Sequence, residues 1–478
     1  MKYDIVLLFP PDTNKPYREL EDAGSLLPPV GISYIAGFLR EKGIKTSIVD
    51  AYAEKLTIHE TVERIVAVDP GILGISLTSA VVFIADEVAR QVKQKLPSTV
   101  IVVGGPHVSA VPEETMNKIQ SFDIAVFGEG ELTCLELIQK LKSDNYKINE
   151  LGSVDGIIYR NDSGIVKTKP RQYIEDLDIL PFPAFDMLPE LSKFYTLPGD
   201  NIKRLPATSL VTSRGCPKDC IFCDRSTFGR RFRSHSNEYL IRLMKHLIKE
   251  YGIRDIGFYD DNLMANPPKL REFCKLLIKE KLDLTWSCEG SVDFATEESL
   301  WLMKAAGCWQ IAWGLESGSQ KMLDMYRKRI TVEQMEKVLK MADKAGIDNR
   351  GFFIVGGFSE TKETIEETLN FIRRTPLVNF HITYFTVYPG SEAARSAGQY
   401  GIYEDDWRLL NSLTPNFAPS TITREELERY YKKFYAVFYF RPRIVWYFFL
   451  KLLKEPAILG KLWKSFIALC KFTFRRGS

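Results

Sequence analysis

The chain has 478 residues, 45% hydrophobic and 26% charged, with a net charge of +3. That is the composition of an ordinary globular protein, and its length exceeds the ~250–300 residues at which single cores stop growing, so two or three domains are expected. Eight cysteines without regular pairing exclude a disulfide framework, and the absence of any apolar run of ~18 residues excludes a membrane-spanning helix.

The start, Met1-Lys2-Tyr3-Asp4, leads into a short apolar strand and Pro10-Pro11 and does not read as a signal peptide. Residues 3–9 read as a buried strand, 30–42 as a helix stopped at Gly43, and 44–49 as a second strand. A helix at 58–67 precedes strand 71–76, helix 81–95 precedes strand 99–103, and strand 123–127 leads into helix 132–142. Strands alternating with helices predict a Rossmann-like parallel sheet over 1–150. Ligands of such sheets bind at the C-terminal strand ends. Here those ends carry Pro28-Pro29-Val30-Gly31, Ser76 to Ser79 with Thr78, Gly104-Gly105-Pro106-His107-Val108-Ser109, and Gly128-Glu129-Gly130-Glu131. Glycines admit a ligand close to the backbone, and small hydroxyls line a narrow slot. No G-x-G-x-x-G follows the first strand, which weighs against a dinucleotide.

Residues 151–170 read as a hairpin around Asn161-Asp162-Ser163-Gly164, and Leu180-Pro181-Phe182-Pro183 as the linker closing a segment at 204. From Leu205 the alternation resumes. Strands at 207–212, 254–260, 284–288, 309–314, 350–356 and 380–387 are separated by helices at 237–250, 268–280, 296–305, 332–345 and 362–373. Six such strands make a partial (β/α)6 barrel over 205–395, with chemistry at the C-terminal mouth. The first strand delivers Cys216, Cys220 and Cys223 in C-x3-C-x2-C spacing. Thiolates select iron–sulfur clusters, zinc or copper. A [4Fe–4S] cube normally takes four, so three leave one iron open to a small molecule. The alternative is a zinc knuckle, which wants four N/S ligands; His235, twelve positions on, is the nearest histidine.

The cysteine spacing and the order of loops resemble the radical S-adenosylmethionine (SAM) enzymes, and the glycine-rich strand ends resemble the cobalamin-binding domain that precedes the barrel in one large subfamily. The resemblance spans about 1–150 and 205–395. It implies a [4Fe–4S] cluster on the three cysteines that cleaves SAM to a 5′-deoxyadenosyl radical, and cobalamin as methyl donor. It implies Phe222 against the adenine, Asp260 or Asp261 at the SAM ammonium and Glu316 at the ribose or carboxylate. It also implies Gly356 and Glu360, in the run from Gly351 resembling G-x-I-x-G-x-x-E, beside the adenine. For cobalamin it points to Ser76, Thr78, Gly104, Gly105, Pro106, His107, Gly128 and Glu129, without a histidine ligand to cobalt, since Asp-x-His-x-x-Gly is absent. Only Cys134 precedes Cys216, which argues against the methylthiotransferase branch.

Cys274 and Cys308 read as core residues, while Cys288 ends a strand at the mouth. The last 48 residues, from Tyr431, hold eleven Lys/Arg, one acid and fourteen aromatics. Tyr431, Phe434, Tyr435, Phe438 and Tyr439 recur at helical spacing, so 396–478 is expected to be a helical region. It either lies in a membrane interface or caps the barrel. The function expected is methylation of an unactivated carbon of a small or lipid-like substrate, with ring closure or C–C bond formation on a porphyrin or isoprenoid lipid as the alternative. A cobalamin sensor with an inactive barrel is the rival of another class. A flavodoxin or ferredoxin would supply electrons, and no nucleic acid partner is expected. A thiolate-held cluster suits the reducing cytoplasm, at the membrane's inner face if the C-terminal region lies in an interface.

Overall fold

A computed structural model describes residues 3–11, 26–148, 150–195 and 202–447. The first unit comprises β1 (Ile5–Phe9), α1 (Val30–Glu41), β2 (Thr46–Asp50), α2 (Ile58–Val68), β3 (Ile72–Ser76), α3 (Val82–Lys95), β4 (Val100–Gly104), α4 (Pro106–Ala110), α5 (Pro112–Lys118), β5 (Ile124–Val126), α6 (Gly130–Ser143), β6 (Ile157–Asn161) and β7 (Gly164–Lys167). Its seven strands lie in the order β2-β1-β3-β4-β5-β6-β7. β1 to β5 are parallel and β6 and β7 antiparallel. Continuous Val/Ile/Leu runs with both faces buried are what a parallel sheet covered by helices requires.

The expected hairpin is therefore an edge of this sheet: Ile124, Ala125 and Val126 pair with Tyr159, Ile158 and Ile157. The expected linker is likewise packed. Ala184 N donates to Ser33 O on α1 at 3.0 Å, and Phe182 meets Tyr239 edge-on at 5.2 Å. Buried Leu177, Leu180 and Phe185 continue one hydrophobic core from α1 into the second unit.

The second unit follows the short α7 (Leu191–Phe194). It comprises β8 (Ala207–Leu210), the ribbon β9 (Ser213–Arg214) and β10 (Arg233–Ser234), then α8 (Asn237–Tyr251), β11 (Asp255–Phe258), α9 (Pro267–Glu280), β12 (Thr285–Gly290), α10 (Glu297–Ala305), β13 (Cys308–Glu316), α11 (Gln320–Met325), α12 (Val332–Lys344), β14 (Asp348–Val355), α13 (Lys362–Arg374) and β15 (Leu377–Tyr384). The order β15-β14-β13-β12-β11-β8 is the chain order, with every pair parallel. Successive right-handed crossovers in one direction wind such a sheet into an open barrel with its helices outside.

The last region departs from the expectation of helix alone. Before α14 (Arg424–Tyr439) lies a hairpin of β16 (Gly401–Tyr403) and β17 (Phe417–Pro419). Between those strands a strap crosses back to the first unit and buries Trp407 and Leu410 in its core. Trp407 meets His107 edge-on at 4.3 Å and Phe83 at 6.0 Å, with the Lys118 ammonium 4.0 Å above its ring. Trp407→Ala is expected to cost about 3–5 kcal/mol in equilibrium unfolding; a loss below about 1 kcal/mol in denaturant titration would show that the strap is not a fixed part of the core.

Tyr431, Phe434 and Phe438 on α14 are buried, with Tyr431 stacked on Tyr384 at 4.5 Å and Phe438 tilted against Phe380 at 4.4 Å. This aromatic stripe caps the barrel. Residues 448–478, with Cys470, lie outside the described residues. No described helix is long and apolar enough to cross a membrane.

Candidate active site

β8 ends at Leu210, two residues before the expected strand end, because Asp260 captures the next turn of chain. Its Oδ1 accepts from Thr212 N at 2.8 Å, Thr212 Oγ1 at 2.9 Å and Ser213 Oγ at 2.5 Å. This turns the chain into β9 and hands it to the cysteine loop. Asp260 Oδ2 is buried without a partner among the described residues, and burial pushes the carboxyl up to about 6 against the pull of those hydroxyls. Asp261 points the other way: its Oδ2 accepts from Gly215 N at 3.1 Å, at the foot of the loop. Of the two acids expected at this position, Asp260 organises the backbone and Asp261 is the exposed one.

The loop is clamped from three sides. Ile221 N donates to Tyr326 O at 3.2 Å, Ala393 N to Ile221 O at 2.9 Å, and Arg225 Nη1 to the carbonyls of Lys218 and Cys220 at 3.2 Å. Cys216, Cys220 and Cys223 carry free thiols; Cys220 is buried and Cys223 exposed. Burial raises the Cys220 thiol, and the Lys328 ammonium opposes it. Among the described residues no three His, Cys, Asp or Glu side chains converge on a single-ion centre. His235 is no fourth ligand, being stacked on Tyr239 at 3.9 Å with Nδ1 3.3 Å from Asp178. Three free thiols on one clamped loop fit a cluster held at three corners.

Glu316 ends β13 with φ +62° and accepts from Lys328 Nζ at 2.6 Å, both side chains being buried. Burial works against the Lys328 charge, but Glu316 and then Cys220 outweigh it and hold the ammonium above its ordinary range. Lys328 and Glu289 were not foreseen. Glu289, near the end of β12, is pushed up to about 7 by burial, with Arg350 opposing and Asp260, Asp261 and Glu316 adding repulsion. Four carboxyls thus crowd the mouth.

Phe222 is half-buried and meets Tyr326 edge-on at 5.5 Å. Gly356 and Glu360 form a brace: Glu360 Oε2 accepts from Gly356 N and from Gly357 N at 3.1 Å. Gly356 has φ +86°, and a Cβ there would lie 2.7 Å from Leu427 of α14. Glu360 is therefore turned onto its own loop. Burial lifts its carboxyl to about 7 from an ordinary 4.5. The neutral form is favoured by folding, so this contribution is complete below about pH 4.5 and lost as pH rises through 7. Relative to Glu360→Gln, the wild type is expected to lose up to ~3 kcal/mol between about pH 4.5 and pH 8, read by denaturant unfolding at each pH.

In the first unit Ser76, Thr78, Gly104, Gly105, Pro106 and Gly128 sit at the C-terminal strand ends, and Gly128 N donates to Ser109 Oγ at 3.1 Å. Two residues expected beside them are employed elsewhere. His107 is buried under Trp407 with Nδ1 2.9 Å from Ser79 Oγ, and burial, then Lys118, pushes it down to about 4. Glu129 accepts from Ile174 N at 2.7 Å, Arg233 Nη1 at 2.8 Å and Arg214 Nη1 at 3.0 Å. Glu131 takes the other side of Arg214. These buried ion pairs fasten the first unit to the ribbon that carries the cysteine loop. The units touch again at Gly390 (φ +81°), where a Cβ would lie 2.4 Å from Asp224 Oδ1 and 2.9 Å from Ala110 Cβ. The strand ends of the first unit therefore face the barrel mouth.

Residues 210–372 match the radical SAM superfamily and residues 20–138 the B12 binding domain. An uncharacterized methyltransferase of Pyrococcus horikoshii is 33% identical over 93% of this chain and 94% of its own length. The chain belongs to the cobalamin-dependent radical SAM methyltransferase family. The anaerobic magnesium-protoporphyrin IX monomethyl ester cyclase of Rubrivivax gelatinosus is 28% identical over 92% of this chain and 79% of its own. The fold is that of the cobalamin-dependent radical enzyme OxsB with aqua-cobalamin and S-adenosylmethionine bound, at TM-score 0.74 and 20% identity over 91% of this chain and 67% of that one. The cofactor set of this radical SAM family, a [4Fe–4S] cluster, SAM and cobalamin, is the one expected from the cysteine loop and the strand ends. An enzyme, rather than a sensor, follows from the same membership.

Proposed function

We propose that this enzyme methylates an unactivated carbon of a small substrate held in the barrel lumen beneath the strand ends of the first unit. The observation that carries this reading is the clamped three-thiol loop, fastened by Arg214 and Arg233 to the unit whose strand ends face it. When bound, the cluster with SAM supplies a 5′-deoxyadenosyl radical and cobalamin supplies the methyl group. The protein's part is placement and exclusion of water. Cys216, Cys220 and Cys223 would hold three irons. Asp261 and Glu289 would accept the SAM ammonium through charge-assisted hydrogen bonds, Glu316 and Lys328 would fix its ribose and carboxylate, and Phe222 would lie against the adenine. Ser76, Thr78, Gly104, Gly105, Pro106 and Gly128 would line the cobalamin slot.

The boundaries that support this division are 3–170 for the cobalamin unit and 205–395 for the radical unit. Exposed Arg230, Arg231, Arg327 and Arg329 beside the cysteine loop suit an acidic one-electron donor of the flavodoxin or ferredoxin kind in the cytoplasm. Ring closure is the second reading, favoured by the likeness to the cyclase. Membrane contact rests on the basic residues beyond 447, since the aromatic stripe before them is spent on the barrel. Flotation of full-length but not truncated protein with anionic liposomes would support it. Anaerobic reconstitution with iron, sulfide, hydroxocobalamin, SAM and dithionite tests the whole: 5′-deoxyadenosine and stoichiometric cobalamin are expected. A cluster-free protein would overturn the radical reading, and a working cluster without cobalamin would remove methyl transfer.

A further inference from the structure

Strand alternation sorts the barrel's side chains into two faces. On β14, Asn349 accepts from Trp313 Nε1 at 2.8 Å and Phe353 packs on Phe371 of α13, so the odd positions face the helices. Arg350, Phe352 and Ile354 therefore face the lumen. Register extends this across the sheet. Glu289, Ala312, Arg350 and Asn379 form one row over four strands, and Gly314, Phe352 and His381 a second. Ala312 leaves only a methyl group between Glu289 and Arg350 in the first row, and Gly314 in the second makes room for the Glu316–Lys328 pair.

Arg350 is 8% exposed, and its Nε has no hydrogen-bond partner among the described residues. Its guanidinium lies 5.3 Å from the centroid of Phe352, which meets His381 edge-on at 6.0 Å. Glu289 feels its charge from two strands away without pairing to it. A guanidinium cannot discharge by losing its proton, and a buried charge left unpaired is strongly destabilising. Its planar fork matches a carboxylate or phosphate. The position is five residues before the end of its strand, away from the loops of Cys216 to Cys223 and of Glu316. The lumen is thus acidic at its mouth and basic within.

We propose that Arg350 is a specificity-determining residue that takes an anionic group, carboxylate or phosphate, on a substrate whose carbon skeleton passes Phe352. This rests on the lumen being the reaction chamber. The test is calorimetric titration of full-length protein with phenyl phosphate, benzoate and neutral benzyl alcohol, using wild type, Arg350→Gln, Arg350→Lys and, on the exposed face of α13, Arg373→Gln. The wild type is expected to bind at least one of the anions better than the alcohol, and the better one names the group. Arg350→Gln is expected to weaken it about 10- to 100-fold, Arg350→Lys by less, and Arg373→Gln not at all. SAM affinity of the cluster-loaded Arg350→Gln protein should fall by much less than its anion affinity, since Arg350 reaches the SAM site only through its charge on Glu289. No preference for either anion, equal binding by the Arg350 and Arg373 variants, or a parallel fall in SAM affinity would each overturn the proposal. Should Arg350→Gln fail to fold, unaltered anion binding by Arg350→Lys would do the same. Because the anion titration needs no cluster, its result stands apart from failure of the radical reading, which shows as absent 5′-deoxyadenosine.

Discussion

Cys220→Ala protein, reconstituted anaerobically beside the wild type, is expected to form 5′-deoxyadenosine only at background level. Cys220 is the buried thiol of the three. Its carbonyl accepts from Arg225 and from Cys223 N, and its neighbour Ile221 is bonded to Tyr326 and Ala393. Alanine keeps all of those backbone contacts, so the loop should hold its path while losing a ligand. Loss of an outer-shell partner of a metal costs ~10–100-fold, and loss of the ligand itself must cost more. Iron and sulfide content should fall with activity, while the unfolding midpoints of the cluster-free proteins stay together. Full iron with undiminished deoxyadenosine in the variant would remove Cys220 from the cluster.

Glu129→Ala is expected to destabilise the protein by about 3–5 kcal/mol, the cost of leaving a buried charge without its partner. Two arginines lose an acceptor in this case, Arg233 at 2.8 Å and Arg214 at 3.0 Å, and all three side chains are buried. Arg214 retains Glu131, so Arg233 bears most of the loss. The pair should therefore be coupled: Glu129→Ala with Arg233→Ala should cost less than the two single changes added together. Additive values in denaturant titration would mean that the network is not formed. Because the network fastens the cysteine ribbon to the first unit, the milder Glu129→Gln should keep SAM cleavage and cobalamin content. Its yield of methylated product per deoxyadenosine should drop.

The barrel and the parallel sheet were legible because their signals are local: buried strands and amphipathic helices repeat at fixed spacing, and the cysteines of the loop stand within eight residues of one another. What was not legible depends on partners far along the chain. Glycines beside Glu129 and His107 mark C-terminal strand ends of the sheet. Whether each side chain turned to the slot was decided by Arg214, Arg233 and Trp407, which lie 85, 104 and 300 positions later. Asp260 and Asp261 are adjacent in sequence and opposite in direction because Thr212 and Ser213 claim one and Gly215 the other. Lys328 and Arg350 carry no local signal that sets them apart from the chain's other charges. Only the return of the chain after α11 and the pairing of β13 with β14 bring them inside. The hairpin at 157–167 was seen as a hairpin, but its attachment to β5 needed the edge of the sheet to be known.

The strap bearing Trp407 bears on how the polypeptide is made. The face of the first sheet that packs under α2 and α3 is closed by Trp407 and Leu410, which leave the ribosome long after β5 and α6. At ~5–20 residues per second, that face waits roughly 15–60 seconds for its last side chains. During that interval Phe83 and His107 lack the ring that packs on them. An amino-terminal fragment expressed alone should accordingly behave as a chaperone client, and co-expression of two halves split at the packed segment near residue 180 should rescue solubility only when the downstream half carries the strap.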